Sequence, residues 1–337
     1  MTAPIITFFN NKGGVGKTST LYNLSRMFAK LGKRVLAVDL DPQANLTSLC
    51  LDDETLLKLW ENEDYENQDA QTIYHAVQQL IEGIGDVKTI SPKELLPNAL
   101  NYAILPGDLR LSQFEDKLAS EWNSVLGGKP SGLNVTSAFA RLIKVVAESY
   151  QADIIFVDVG PNLGAINRAA LIASDYVAIP LIPDLFSIQG LKNVGKYLVD
   201  WRKDWQQGLN NLKVAAEKYP TGKMQPIGYI ILQHRERQSR LVAAHQRWAA
   251  KVPQTYIESV LGQSYEDSEN DPNMIGSIRN YQSMMALSHE SRKPIFDLKP
   301  ADGAIGSHVR VVKESEDTYR NLAIVIAERV GLSLDLD

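Results

Sequence analysis

Ile5-Ile6-Thr7-Phe8-Phe9-Asn10-Asn11-Lys12-Gly13-Gly14-Val15-Gly16-Lys17-Thr18-Ser19 decides how this chain folds. Ile5 to Phe9 is a short apolar, β-rich run that stops at two asparagines and a glycine cluster, the pattern of a buried strand entering a loop. From Thr18 to Leu31, the residues Leu21, Leu24, Phe28 and Leu31 recur at helical spacing, and Gly32 supplies a stop. Arg34 to Leu40 reads as a second buried strand. Strand, loop, helix and strand within roughly 40 residues form a βαβ unit, whose crossover requires a parallel sheet. A glycine-rich loop in that position can turn its backbone N–H groups inward around phosphate oxygens, and the helix after it adds a partial positive charge. Lys17 can reach β and γ phosphates, and the Thr18 hydroxyl can ligate Mg2+. Asn11, Lys12, Gly13, Gly14, Val15, Gly16, Lys17, Thr18 and Ser19 are therefore the expected nucleotide-binding residues. The loop departs from G-x-x-x-x-G-K-[ST] in one place, because Asn11 stands where the first glycine belongs; Lys12 follows it.

Outward from this unit, apolar runs at Tyr102 to Leu105, Ile154 to Val157, Tyr176 to Ile179 and Ile227 to Leu232 supply further strands. Helical patterns fall at Val135 to Tyr150, Ile188 to Trp205, Arg240 to Lys251 and about Val309 to Val330. The expectation is a single α/β domain over residues 1–337, with a mostly parallel central sheet flanked by helices on both faces. An acidic stretch at about 52–69 and a polar one at about 263–273 read as surface insertions with too little apolar content to enter the core.

Composition bounds the function. At 44% hydrophobic and 22% charged residues, the chain has the make-up of an ordinary soluble protein. No window offers the apolar length needed to cross a bilayer, and no leader is evident, so a cytoplasmic location is expected. Cys50 is the only cysteine, which excludes an intrachain disulfide and a four-thiolate metal site. His75, His234, His245, His289 and His308 lack metal-ligand spacing and read as surface or satisfied histidines. The net charge of -5 hides segregation. Asp52 to Asp69 holds eight acids against Lys58, whereas Lys192 to Lys251 holds twelve Lys and Arg against four acids.

The loop K-G-G-x-G-K-[ST], here Lys12 to Thr18, resembles that of the ParA/MinD family of P-loop ATPases, and two more segments of similarity follow in order. Asp39-Leu40-Asp41-Pro42-Gln43-Ala44-Asn45 is similar to the D-x-D-P-Q-x-N segment of ParA proteins, and Asp153 to Gly164 resembles the Walker B strand and its turn. Asn101 to Leu111, Asp175 to Gly190 and Ile278 to Ile295 extend the resemblance over nearly the whole chain. It implies a P-loop NTPase fold, ATP and Mg2+ as cofactors, and a homodimer closed by ATP. In that family the lysine at the place of Lys12 reaches across the dimer to the partner's phosphates. Lys12, Lys17 and Asp41 become the candidate catalytic residues, Asp41 orienting the attacking water. Thr18, Asp39 and Asp158 become the metal candidates, since carboxylates at the ends of neighbouring parallel strands lie beside the loop. Gln233 and Asn280 fall near the adenine-contacting positions, although Ile278 stands where ParA proteins usually have proline.

The resemblance also implies an activity: weak, partner-stimulated hydrolysis of ATP to ADP and phosphate, coupled to the positioning or segregation of DNA, such as a plasmid or chromosome, or of another cargo. Its partners would be nonspecific DNA and a ParB-like or other stimulating protein, with nucleoid association as a consequence. Candidate DNA contacts are Lys192, Lys196, Arg202, Lys203, Arg235, Arg237, Arg240 and Arg247, because nonspecific binding needs only such charges. The bland alternative is a solvated helical face. Trp201, Trp205 and Trp248 read as core or partner-facing. An alternative function is a switch acting on a protein partner without DNA, and further off lies a metabolic ATP-dependent enzyme of the same fold. Iron-sulfur and soft-metal relatives of the fold need more than one cysteine. A membrane-cycling role needs a basic amphipathic C-terminal helix, whereas this sequence finishes Asp335-Leu336-Asp337, so no membrane partner is expected.

Overall fold

The computed structural model describes residues 3–62, 71–95, 101–213, 216–233, 246–267, 270–281 and 283–334. Strand β1 (Ile5–Phe8) enters the glycine loop, α1 (Lys17–Lys30) leaves it, and β2 (Val35–Asp39) completes the crossover. Then come α2 (Asn45–Cys50), α3 (Asp53–Trp60), α4 (Ile73–Glu82), β3 (Lys93–Glu94) and β4 (Tyr102–Leu105). Helices α5 (Phe114–Leu126), α6 (Pro130–Thr136) and α7 (Ala138–Tyr150) lead to β5 (Ile154–Asp158), α8 (Ala165–Ile172), β6 (Tyr176–Leu181) and α9 (Leu185–Asn211). The chain continues through β7 (Gln225–Gln233), the single turn α10 (Val252–Thr255) with a π-helical turn at Tyr256–Val260, β8 (Met274–Arg279), α11 (Ser283–Ser291) and α12 (Ser307–Val330).

The eight strands order as β3-β4-β2-β5-β1-β6-β7-β8, and every pair is parallel except β3 with β4. Parallel strands buried on both faces read as continuous apolar runs, and the described β2, β4 and β5 are buried throughout. One face packs Phe114, Phe139, Trp201 and Trp205 from α5, α7 and α9. The other packs Phe28, Leu46 and Tyr319 from α1, α2 and α12. This order places β1 at the centre between β5 and β6, so the loop after β1 opens at the C-terminal edge of the sheet, where parallel α/β folds bind ligands.

The structure departs from the sequence reading in several places. The stretch beginning at Asp52 is not wholly a surface insertion: Asp52 caps α3 through the Thr55 amide, and Leu56 and Leu59 are buried. The polar stretch contributes too, since Asp271 bonds the Tyr229 hydroxyl and the Asn273 carbonyl accepts the Tyr229 amide. The Val135 to Tyr150 pattern splits into α6 and α7, and α9 runs longer than expected. The first half of the Arg240 to Lys251 pattern lies outside the described residues.

Helix α9 approaches the π-helical turn most closely at Gly195, where an added Cβ would collide with the Ser259 carbonyl. Backbone cannot yield as a flexible side chain does, so Gly195→Ala is expected to lower stability by about 1–3 kcal/mol. A urea melt with an unchanged midpoint would contradict this packing.

Candidate functional site

The loop owes its shape to glycine. Gly14 and Gly16 have φ of +70° and +84°, which side-chain-bearing residues rarely adopt, and Gly16 stands at the N-cap of α1. Glycine brings no side-chain cap, and the first turn of α1 carries no acid, so the amides at this helix start face the cleft uncapped. A cleft of about 430 Å³ is lined by Lys12 to Ser19, by Asp41, Gln43, Asn45, Ser48 and Leu49 from the β2–α2 segment, and by Pro161 and His289. A second hollow of about 280 Å³ shares Gly14, Val15, Gly16 and Ser19 as its wall and adds Thr20, Ile182, Leu232, Ile278, Arg279, Asn280, Tyr281, Met285 and Tyr319, a mainly apolar and aromatic set with one cation. The polar chamber suits phosphates, and the apolar, aromatic one suits a flat base. Asn280 thus lies in the second hollow; Leu232 lines it, while Gln233 is the next residue, at the end of β7.

Below the loop lie three carboxylates. Asp39 and Asp158 end β2 and β5 as paired residues, and both are fully buried. Asp39 is bonded on every side: Oδ1 accepts the Asp41 amide at 3.2 Å, and Oδ2 accepts the Thr47 amide at 2.8 Å and the Thr47 hydroxyl at 2.7 Å. The Thr47 Oγ1 in turn accepts the Gly107 amide at 2.8 Å. A Cβ on Gly107 would sit 2.9 Å from Asp39 Cγ, so glycine alone fits beside this carboxylate. Asp41 is buried, accepts the Gln43 amide at 3.0 Å and faces Gly160, whose hypothetical Cβ would lie 3.3 Å from Asp41 Oδ1.

Asp158 differs. Among the described residues neither carboxylate oxygen completes a hydrogen bond, although the Thr18 hydroxyl and the Val159 amide stand close enough to favour its charged form. A buried carboxylate left so is costly, which marks a place for a cationic or hydrated ligand. Burial raises its pKa, and the Lys17 ammonium pulls against that rise. Burial, followed by the Asp158 charge, raises Asp39 as well. With Lys17 buried at the start of α1, the orphaned oxygens of Asp158 fit a hydrated Mg2+, the Thr18 hydroxyl being the loop residue able to join it.

Lys12 occupies the outer rim. Its ammonium pairs with Asp184 and lies 5.9 Å from the Phe186 ring centroid. Asp184 is also the N-cap of α9, accepting the Ser187 amide at 2.8 Å. Burial pushes the Asp184 carboxyl up, but Lys12 and the Ser187 amide outweigh it and hold it below its ordinary value. Leu185 and Phe186 beside this pair are exposed by 48% and 74%, an apolar step on the rim.

The candidate DNA contacts are divided. Lys192, Lys196 and Lys203 are exposed along one face of α9, with Val199 among them, and Arg247 is exposed and stacked near Trp248. Arg202 is half-buried and has internal partners, donating from Nε and one terminal nitrogen to the Lys223 and Met224 carbonyls. Arg235, Arg237 and Arg240 lie outside the described residues. The sequence reading missed His289, Ser48, Leu49 and Pro161 as cleft residues. An isolated histidine carries no spacing signal. Among the described residues, no helix is long and apolar enough to cross a membrane.

A glycine cradle after the central strand, two lysines and a buried acid on the neighbouring strand define a P-loop ATPase of the ParA/MinD type. The family profile described as an AAA domain, AAA_31, matches residues 3–211, and the chain belongs to that family. The sporulation initiation inhibitor protein Soj of Bacillus subtilis (strain 168) is 31% identical over 191 residues, covering 56% of this chain and 62% of Soj. The chain therefore spans about three fifths of that relative's length. Two solved structures share the fold. A single-substitution variant of Cyanothece McdA in complex with ATP superimposes with a TM-score of 0.64 at 17% identity, covering 100% of this chain and 99% of that one. The pNOB8 ParA bound to nonspecific DNA gives 0.52 at 19% identity, covering 98% and 99%.

The acid pair sets a pH dependence. Both pKa values are raised, so the carboxyls stabilise the free protein in acid, and that stability is lost as pH rises from about 4 through about 6 for Asp158 and about 8 for Asp39. Asp158→Asn stays neutral throughout. It is expected to melt several degrees above the unsubstituted protein at pH 8 without nucleotide, yet to lose the further rise produced by Mg2+ with ATP. A thermal scan in which the variant melts lower at pH 8, or keeps that rise, would contradict the assignment.

Proposed function

We propose that the chain is a Mg-ATP-dependent dimerising ATPase that positions or segregates DNA or another cargo, binding DNA nonspecifically in its ATP state, with hydrolysis stimulated by a partner protein. The observation that carries this reading is the orphaned carboxylate of Asp158 set under the glycine loop and Lys17. Bound there, a hydrated Mg2+ would neutralise charge on the β and γ phosphates. Lys17 and the amides at the start of α1 hold the phosphate chain, and the hollow between Leu232 and Tyr281 takes the base. Asp41, buried beside Gly160 at the edge of the phosphate chamber, orients water for in-line attack.

Lys12 supplies the dimer step. Held on Asp184 in one protomer, it exchanges that carboxylate for phosphate oxygens bound by the second copy, while Leu185 and Phe186 are covered at the same contact. Because Asp184 caps α9, release of Lys12 alters the first turn of the helix that carries Lys192, Lys196 and Lys203. Those lysines supply salt-sensitive phosphate contacts. The neighbour solved on nonspecific DNA supports such binding by analogy of fold.

Lys12→Ala is expected to remain monomeric by light scattering with Mg-ATP while still binding nucleotide, whereas Asp41→Ala should accumulate as a dimer because hydrolysis is blocked. A normal ATP dimer from the Lys12 variant would remove the crossing role. On DNA filters, the Asp41 variant with ATP is expected to retain nonspecific duplex, with retention falling steeply as salt rises. Equal retention with and without ATP would sink the nucleotide-gated DNA step.

A further inference from the structure

We infer that His289 is a nucleotide-contacting residue, holding the phosphate portion of the bound nucleotide from the α11 wall of the cleft. The inference rests on the nucleotide reading above and adds a contact to it. On α11, Met285 and His289 are four residues apart and so lie one turn from each other on a single helix face. Met285 lines the apolar hollow and His289 lines the polar chamber, so one face of α11 runs along both halves of the cleft.

This helix is bolted in place. Just past its end, Arg292 adopts a left-handed φ of +51°, a conformation that costs a side-chain-bearing residue about 1 kcal/mol or more. Bonds of Arg292 and of nearby Ile295 to α1 and to the α2–α3 junction surround it. Arg292 Nε donates to the Leu51 carbonyl at 2.8 Å, and its terminal nitrogen meets Asp53 at 2.7 Å. The Tyr22 hydroxyl donates to the Arg292 carbonyl at 3.0 Å, and the Ile295 amide donates to Asn23 Oδ1 at 2.8 Å. These ties fasten the end of α11 to α1 and to the α2–α3 junction, the same elements that border the phosphate chamber.

Within this frame His289 is exposed to the cleft, and among the described residues its imidazole has no hydrogen-bond or ionic partner. The Lys and Asp side chains lining the same chamber are Lys12, Lys17 and Asp41. An imidazole N–H can donate to a phosphate oxygen there, as a lysine ammonium can, and it does so from a separate element, α11.

Calorimetry of Mg-ATP binding to the full chain tests this. His289→Ala should weaken binding about tenfold, the usual scale for a hydrogen bond to a charged group. His289→Lys should stay within about threefold of the unsubstituted protein, and His289→Glu should bind more weakly than the alanine variant. Because the side chain has no partner within the described protein, all three should melt without nucleotide at the unsubstituted temperature. At saturating ATP the alanine variant should retain its turnover, the loss falling on KM. Binding by the alanine variant within about twofold of the unsubstituted protein, or equal binding by the alanine and glutamate variants, would overturn the inference. Failure of the unsubstituted protein to take up Mg-ATP would instead sink the nucleotide reading beneath it.

Discussion

Two buried carboxylates side by side, Asp39 and Asp158, set the constraint on which this site depends. Like charges on adjacent strand ends repel, and burial penalises each of them. The fold deals with the two differently. Asp39 is satisfied by Thr47 and the Asp41 amide, and those bonds shape the turn that presents Asp41. Asp158 completes no hydrogen bond among the described residues. A fold that completes the hydrogen bonds of one acid and leaves its neighbour open has stored a cost that a cation can relieve, the usual exchange of stability for function at a binding site.

A second coupling runs outward along the rim. Lys12 and the start of α9 share one carboxylate, Asp184, so the lysine at the cleft rim and the geometry of a 27-residue helix answer to the same group. The Thr47 hydroxyl likewise ties Asp39 to the Gly107 turn, and Trp60 Nε1 donates to the Gly107 carbonyl at 3.1 Å. Hydrogen bonds thus tie Asp184 to the start of α9 and Asp39, through Thr47 and Gly107, to Trp60 at the end of α3.

Much of this was legible in the sequence because the signals are local. The first strand, glycine loop and helix are contiguous, and the strands of the sheet interior are continuous apolar runs. What escaped depended on distant partners. Strand β8 has only Ile275 and Ile278 buried among polar neighbours, so its Met274 to Arg279 run offers no apolar block. Helix α3 hid because its acids mask Leu56 and Leu59, whose burial is decided by packing rather than by composition. Arg202 looked like a free surface cation until the fold brought the Lys223 and Met224 carbonyls to it. His289 lies near the far end of the sequence from Thr18, and only the folded chain sets it across the same cleft.

The most direct measurement is equilibrium binding of ATP to the purified chain as Mg2+ is titrated, with Asp158→Asn in parallel. Saturable ATP uptake that strengthens with Mg2+ in the unsubstituted protein, and loses that Mg2+ dependence in the variant, is the predicted result. ATP uptake indifferent to Mg2+, or no uptake at all, would contradict the claim that the orphaned carboxylate exists to receive a hydrated cation beside a triphosphate.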